Sequence, residues 1–197
     1  MLEFAFSRKS EYNSYNYTIL PIMFILQQQF FNAVKYGHLD MVKLLLKDPR
    51  VDPIDYYNYA IRWATTYGYF KIVKLLLNDP RVDPSANHNE AIRSAATYGY
   101  HEIVKLLLRD PRVDPSDDDN YAIRLAAEYG HLKVVELLLN DSRIDPSDCN
   151  NYAIRWAADN GHLEVIKLLL QDPRIISSNN KHININNIKM NIMILFM

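Results

Sequence analysis

Glycine is nearly missing from this 197-residue chain, and cysteine more so: five of the first, one of the second. With so few glycines, no phosphate-cradling loop can form, and no Gly-x-Ser-x-Gly elbow offers a serine nucleophile. The lone Cys149 cannot close an internal disulfide or seed a zinc site, which suits a reducing setting inside a cell, the cytoplasm above all. Net charge is lacking as well. The 22 Lys+Arg stand against 23 Asp+Glu, giving −1, so no global field draws the chain to nucleic acid or to an anionic membrane. Long apolar runs are also absent. Ile19–Leu26, interrupted by Pro21, and Ile192–Met197 both fall short of the ~20 residues of a membrane-spanning helix. No small-residue cleavage site follows the first of them, as a secretory signal would require.

What is present is a repeat, and the search for one comes before residue-level reasoning. The five glycines, Gly37, Gly68, Gly99, Gly130 and Gly161, stand 31 residues apart, with none outside the series. Leucine triplets share the register, at Leu44–Leu46, Leu75–Leu77, Leu106–Leu108, Leu137–Leu139 and Leu168–Leu170. An Asp-Pro-Arg step recurs at Asp48, Asp79, Asp110 and Asp172, with Ser142 in place of Pro in the fourth copy. An Asp-Pro pair recurs at Asp52, Asp83, Asp114 and Asp145, and asparagines at Asn58, Asn89, Asn120 and Asn151.

The unit 58–88 shows what one copy should fold into. Asn58 has the side chain of an N-cap. Ala60, Ile61, Ala64 and Thr65 fall on one helical face, and the alanines keep it thin enough for a close neighbour. Gly68 supplies the left-handed residue that ends the helix. Ile72, Val73, Leu75, Leu76 and Leu77 then give a second helix a broad apolar face. That helix should stop near Asn78, because Asp79 precedes a proline and so avoids helical geometry. One such pair cannot bury its own leucines. Five pairs stacked side by side can, and they make an elongated solenoid whose stability is a sum of unit and neighbour terms.

The pattern Ala-Ile-Arg-x-Ala-Ala-x-x-Gly-His-x-x-Val-Val-x-Leu-Leu-Leu resembles the ankyrin repeat. It is clearest at Ala122, Ile123, Arg124, Ala126, Ala127, Gly130, His131, Val134, Val135 and Leu137–Leu139, and it covers residues 29–176. The resemblance implies an all-α, ankyrin-like helix–turn–helix solenoid of five stacked units, with short connectors or β-turn hairpins. Two departures stand out. The period is 31 rather than the family's 33, the deficit falling in the connector. The family's Thr-Pro-Leu-His entry reads Tyr59-Ala60-Ile61-Arg62, so an Arg replaces the His that ties neighbouring turns.

The ends differ from the copies. Gln29, Phe30 and Phe31 replace Ala, Ile and Arg in the first unit, and its first helix should begin early, with Pro21 as a first-turn proline. Residues 1–28 are expected to be partly disordered or a capping helix. Ile176 and Ser177 replace the Asp-Pro pair, so the array stops there. The Asn/Ile-rich tail 177–197 has too little complexity for a domain of its own, and Ile192–Met197 is expected to cover the last unit.

No histidine has a partner at metal-ligand spacing, and Cys149 sits beside Asp148 and Asn150, which give no positive charge to activate a thiol. No catalytic residue, metal or cofactor is expected, nor any membrane or small-molecule partner. Two arginine ladders, Arg62/Arg93/Arg124/Arg155 and Arg50/Arg81/Arg112/Arg143/Arg174, are expected to pair with the connector aspartates. Their alternative use is phosphate contact, which makes a nucleic-acid binder the least favoured binding class.

In proteins resembling ankyrins, the two positions before the glycine face the concave groove. Here they are Tyr36, Thr66 and Tyr67, Thr97 and Tyr98, Glu128 and Tyr129, and Asp159 and Asn160. The connector tips form the other half of the binding surface: Asp55 and Tyr56, Ala86 and Asn87, Asp117 and Asp118, Asp148 and Cys149. Tyrosine suits such a surface, since it offers wide amphipathic contact at little cost in rotamer entropy. The expected function is a non-enzymatic scaffold for protein partners, with the acidic later tips matching a basic patch. The alternative is an adaptor whose terminal segments recruit a cellular machine such as a ubiquitin ligase.

Overall fold

The computed structural model describes residues 15–177, so the expectations for residues 1–14 and 178–197 lie outside the described residues. The described residues form five helix pairs. They are α1 (Tyr15–Lys35) with α2 (Leu39–Leu45), α3 (Asp55–Thr66) with α4 (Phe70–Leu77), α5 (Ala86–Thr97) with α6 (His101–Leu107), α7 (Asp117–Glu128) with α8 (Leu132–Leu139), and α9 (Asp148–Asp159) with α10 (Leu163–Leu169). A short α11 (Pro173–Ser177) follows. First helices pack on first helices in the order α1, α3, α5, α7, α9, and second helices on second helices, so the pairs form a two-row stack. No described residue is in a strand, and the connectors are tight turns.

Within each pair the apolar spacing does what it dictates. Ala60, Ile61, Ala64 and Thr65 are fully buried, and Ile72, Val73 and Leu76 join them. Leu75 and Leu77 are half-buried against this core. Gly68, at φ +72°, ends the first helix: its N–H donates to Thr65 O at 3.0 Å, and Tyr69 N donates to Ala64 O at 2.8 Å. That pair of bonds satisfies carbonyls a helix end otherwise leaves orphaned. The second helix stops at Leu77 with Asn78 as its C-cap, where the proline rule puts it.

Two expectations are corrected. Asn58 does not cap its helix: its Oδ1 accepts the Asp83 N–H at 2.7 Å, in the next unit's connector. Pro21 is not in the first turn, because α1 starts at Tyr15. A proline at that depth has no N–H to give the helix ladder, so the turn lacks one backbone bond.

The asparagine belongs to a feature that spacing did not announce. Tyr56, Tyr57 and Asn58 have φ of 51, 57 and 58°, a single left-handed turn ahead of the right-handed helix. Asn87–Asn89, Asp118–Asn120 and Cys149–Asn151 repeat it. Left-handed geometry costs an L-residue roughly 1–2 kcal/mol, least for Asn and Asp. Eight of these twelve residues are Asn or Asp, which is how the sequence reduces that cost. Arginines hold the turn from the helix side. Arg62 donates to Tyr56 O and Tyr57 O at 3.3 and 3.1 Å, Arg93 to Asn87 O at 3.0 Å, and Arg124 to Asp118 O at 2.9 Å. The Arg in place of the family's His therefore serves the shorter connector.

Three braces tie each unit to the one before. Arg112 grips Asp110 with a two-toothed fork (2.8 and 2.6 Å) and reaches back to Val82 O at 2.6 Å and Leu77 O at 3.4 Å. Arg81, Arg143 and Arg174 repeat this arrangement. Asn120 accepts from Asp145 N at 2.9 Å and donates to Asp148 at 2.9 Å, as Asn89 does to Asp114 and Asp117. Gln27 stands in at the first unit, accepting from Asp52 N at 2.9 Å. Finally, Tyr69, Tyr100, His131 and His162 lie over the preceding unit's glycine, so closely that a Cβ on Gly130 would stand 2.5 Å from His162 Nδ1. Among the described residues nothing lies within 4 Å of the same position on Gly161, the last in the row.

Candidate interaction surface

The connector tips open the first helices, and the tyrosines follow their last turns. Tyr36, Tyr67, Tyr98 and Tyr129 recur there in register, each at least half exposed. Thr66 and Thr97 sit beside them, half-buried, each donating its hydroxyl to the carbonyl one turn back, Arg62 O and Arg93 O. Glu128 is half-buried, and desolvation pushes its carboxyl above the ordinary value. Asp159 and Asn160 are exposed, with Asn160 donating to Trp156 O at 2.9 Å.

The tips divide into two kinds. Asp117 and Asp148 are structural pegs. Each accepts the next residue's N–H, at 2.8 and 2.7 Å, and each also takes an asparagine amide from the preceding unit. Asp55 accepts Tyr56 N at 2.8 Å, and Ala86 is half-buried. Tyr56, Asn87 and Asp118 point outward, and Asp118 pairs with Arg93 at 3.3 Å. Cys149 is half-buried, and its thiol is pushed up by burial first and then by Asp119 and Asp148, against a pull from Arg124 that its chain neighbours alone did not announce. A thiol held up in this way carries less thiolate.

The arginine ladders are committed within the molecule. In the connector ladder the fork pulls each aspartate below its usual range, Asp48 to about 2, with Asp79, Asp110, Asp141 and Asp172 also lowered. In the helix ladder the partners are not the connector Asp-Pro pairs expected from sequence. Arg62 meets Glu90 at 2.8 Å. Arg124 lies over the rings of Tyr121 and Tyr152 at 4.7 and 5.3 Å, with Arg93 5.7 Å from the Tyr121 centroid and Arg155 5.4 Å from that of Tyr152.

One part of the face went unseen in the sequence. A continuous row of rings runs Tyr56–Phe31–Tyr59–Trp63–Tyr67–Tyr69, with centroid separations of 5.6, 5.3, 5.1, 4.8 and 6.1 Å. It ends at the second unit, because Glu90 and Ser94 take the places of Tyr59 and Trp63 in the third. At its head lies a cleft of about 530 Å³ lined by Phe31, Tyr56, Tyr57, Tyr59, Lys35 and Arg62, with Gln28 and Asn32 at the rim. Lys35 Nζ stands 5.5 Å from the Tyr36 ring centroid and 5.9 Å from that of Trp63. The sequence signal was Phe31, whose place is Arg in the other four units, beside Tyr56 and Tyr57, whose places hold Asn, His, Asp or Cys in the later units.

Paired helices stacked in two rows, punctuated by left-handed glycines and braced unit to unit, define a helical repeat solenoid. The family model described as Ankyrin repeats (3 copies) matches residues 30–119 and 92–187. The chain belongs to the ankyrin-repeat family, whose repeats are generic protein–protein interaction modules. No curated protein matches it. Among the described residues, no helix is long and apolar enough to cross a membrane.

Proposed function

We propose that this chain is a binding scaffold rather than an enzyme, engaging protein partners through the face its first helices share and through the outward connector tips. One observation carries the reading: Tyr36, Tyr67, Tyr98 and Tyr129 recur in register, each at least half exposed. Exposed aromatic stripes of this kind mark contact surfaces, and Tyr supplies the anchoring residues of many interfaces. The lowered carboxylates each answer to an arginine two residues on, which makes them braces rather than acids poised for chemistry. Binding-side variation follows the same division: the braces and the tyrosines repeat, and the tips and the positions beside the tyrosines differ from unit to unit.

The test is a pull-down with the intact chain as bait, beside a Tyr67→Ala/Tyr98→Ala/Tyr129→Ala variant. Partners captured by the first and lost by the second, with an unchanged helical circular-dichroism melt, support the scaffold. Equal capture by both removes the tyrosine face from it. A basic partner for the acidic tips also requires binding that weakens with salt, and a flat salt response removes that part.

A second reading has its own observation. Ile22, Met23, Phe24 and Ile25 on α1 are exposed, Phe24 by 66%. That apolar stretch fits an adaptor docking a cellular machine such as a ubiquitin ligase through its N-terminal segment. A Phe24→Asp variant that keeps its partners at the tyrosine face and loses one other supports the adaptor. Unchanged capture of every partner ends it.

A further inference from the structure

We infer that the aromatic cleft at the head of this face receives an acidic peptide segment of a protein partner, with an aromatic side chain seated among Phe31, Tyr56 and Tyr59 and a neighbouring carboxylate on Lys35. The inference rests on the scaffold reading and narrows it to one site and one chemistry.

Charge selects the guest. The lining holds two cations and no carboxylate. Arg62 is occupied, with Nε 2.8 Å from Glu90 and Nη1 donating to two backbone carbonyls. Lys35 is exposed, has no ion pair among the described residues, and is held between the rings of Tyr36 and Trp63. A single available ammonium matches a carboxylate, at one negative charge, better than a phosphate carrying nearly two. It also repels the cationic guests that an all-aromatic cage would collect. The rings then supply the apolar contact, and a cleft of about 530 Å³ lies within the roughly 300–1,000 Å³ range of ligand pockets.

Backbone strain points to the same place. Tyr56 and Tyr57 hold left-handed φ of 51 and 57° while 63% and 83% exposed. The equivalent residues are Asn87 and His88 in the third unit and Asp118 and Asp119 in the fourth, types that accept this conformation more cheaply. Bulky side chains kept in a costly conformation, with little of their surface buried, are the mark of a position retained for contact rather than for folding.

Selection of short random phage-displayed peptides on the full chain tests the inference. Enriched peptides should pair an aromatic residue with Asp or Glu. Selection on Lys35→Glu should turn that acidic position to Lys or Arg. By calorimetry, a winning synthetic peptide should bind the Lys35→Glu variant about tenfold more weakly, and the Tyr56→Asn/Tyr57→Asn variant at least as poorly. Both sets of side chains are exposed, so the melts of these variants report folding directly. Winners that are basic, respond to Asp118→Asn and ignore Lys35→Glu overturn the cleft assignment while leaving the scaffold standing. Failure to enrich any peptide on the folded chain also overturns it, and the tyrosine pull-down then decides the scaffold separately. A dimer of this chain that Tyr57→Asn dissolves, seen by sedimentation, overturns it in favour of a second copy as occupant.

Discussion

The second and fourth units share a backbone and differ in surface. Both place a left-handed turn before the first helix, both hold it with an arginine, and both send an asparagine into the next connector. Yet the second presents Tyr56, Tyr57, Trp63 and Thr66 where the fourth presents Asp118, Asp119, Leu125 and Glu128. The first set is aromatic apart from Thr66, and its rings lie beside Lys35. The second is acidic apart from Leu125, and its Asp118 pairs with Arg93 of the preceding unit. Braces that run through the backbone and a few buried amides leave the face unconstrained, so one array can carry two chemically unlike ends. That is the physical reason repeats serve as scaffolds: unit and neighbour terms hold the stack, and the exposed positions are free to vary.

The shared half of the comparison breaks most sharply at the glycines. Gly130→Ala meets both the left-handed backbone and the His162 ring, and should cost about 3 kcal/mol in urea unfolding. Gly161→Ala meets only the backbone term and should cost about 1 kcal/mol. Equal losses would mean that the packing of His162 over Gly130 adds nothing.

The asparagine brace comes next. Asn120→Ala removes buried bonds to Asp145 and Asp148 and puts alanine at φ +59°, for about 3 kcal/mol in all. Asn120→Gly removes only the bonds, so about 1 kcal/mol or more should return. If the two variants melt together, the left-handed turn is not what selects the residue.

Arg112→Lys should cost about 1–2 kcal/mol, because a lysine cannot keep the Asp110 fork and both carbonyls of the preceding unit. Arg50→Lys, where Asp48 is the only partner among the described residues, should cost less. The fork also sets acid behaviour. Its aspartates titrate lower folded than unfolded, so their contribution is complete above the unfolded value of about 3.9. It fades as pH falls toward the folded values, about 2 for Asp48. The melting temperature should fall between about pH 4 and pH 2, and an Arg112→Lys variant should show a shallower decline.

The stack itself was legible because its signals are local and repeated. Gly68 and Asp79-Pro80 mark helix ends by their own backbone chemistry, and Leu76 and Ala64 declare their faces by spacing. The role of Asn58 was misread because an N-cap and an inter-unit brace use the same side-chain oxygen, and only the three-residue left-handed turn aims it at Asp83. The tyrosine row was legible for the same reason as the glycines. The cleft was not, since Phe31, Tyr56, Tyr59 and Trp63 occupy different repeat positions in two units, and only side-by-side packing of α1 and α3 makes them neighbours.

The central claim is that the aromatic end is kept for binding at a cost to folding, and one exchange between the compared units addresses it directly. Tyr56→Asn/Tyr57→Asn gives the second unit residues suited to the left-handed turn. The chain should melt at the same or a higher temperature, and its binding at the cleft, measured on the same sample, should fall at least tenfold. A lower melting temperature with undiminished binding would contradict the account.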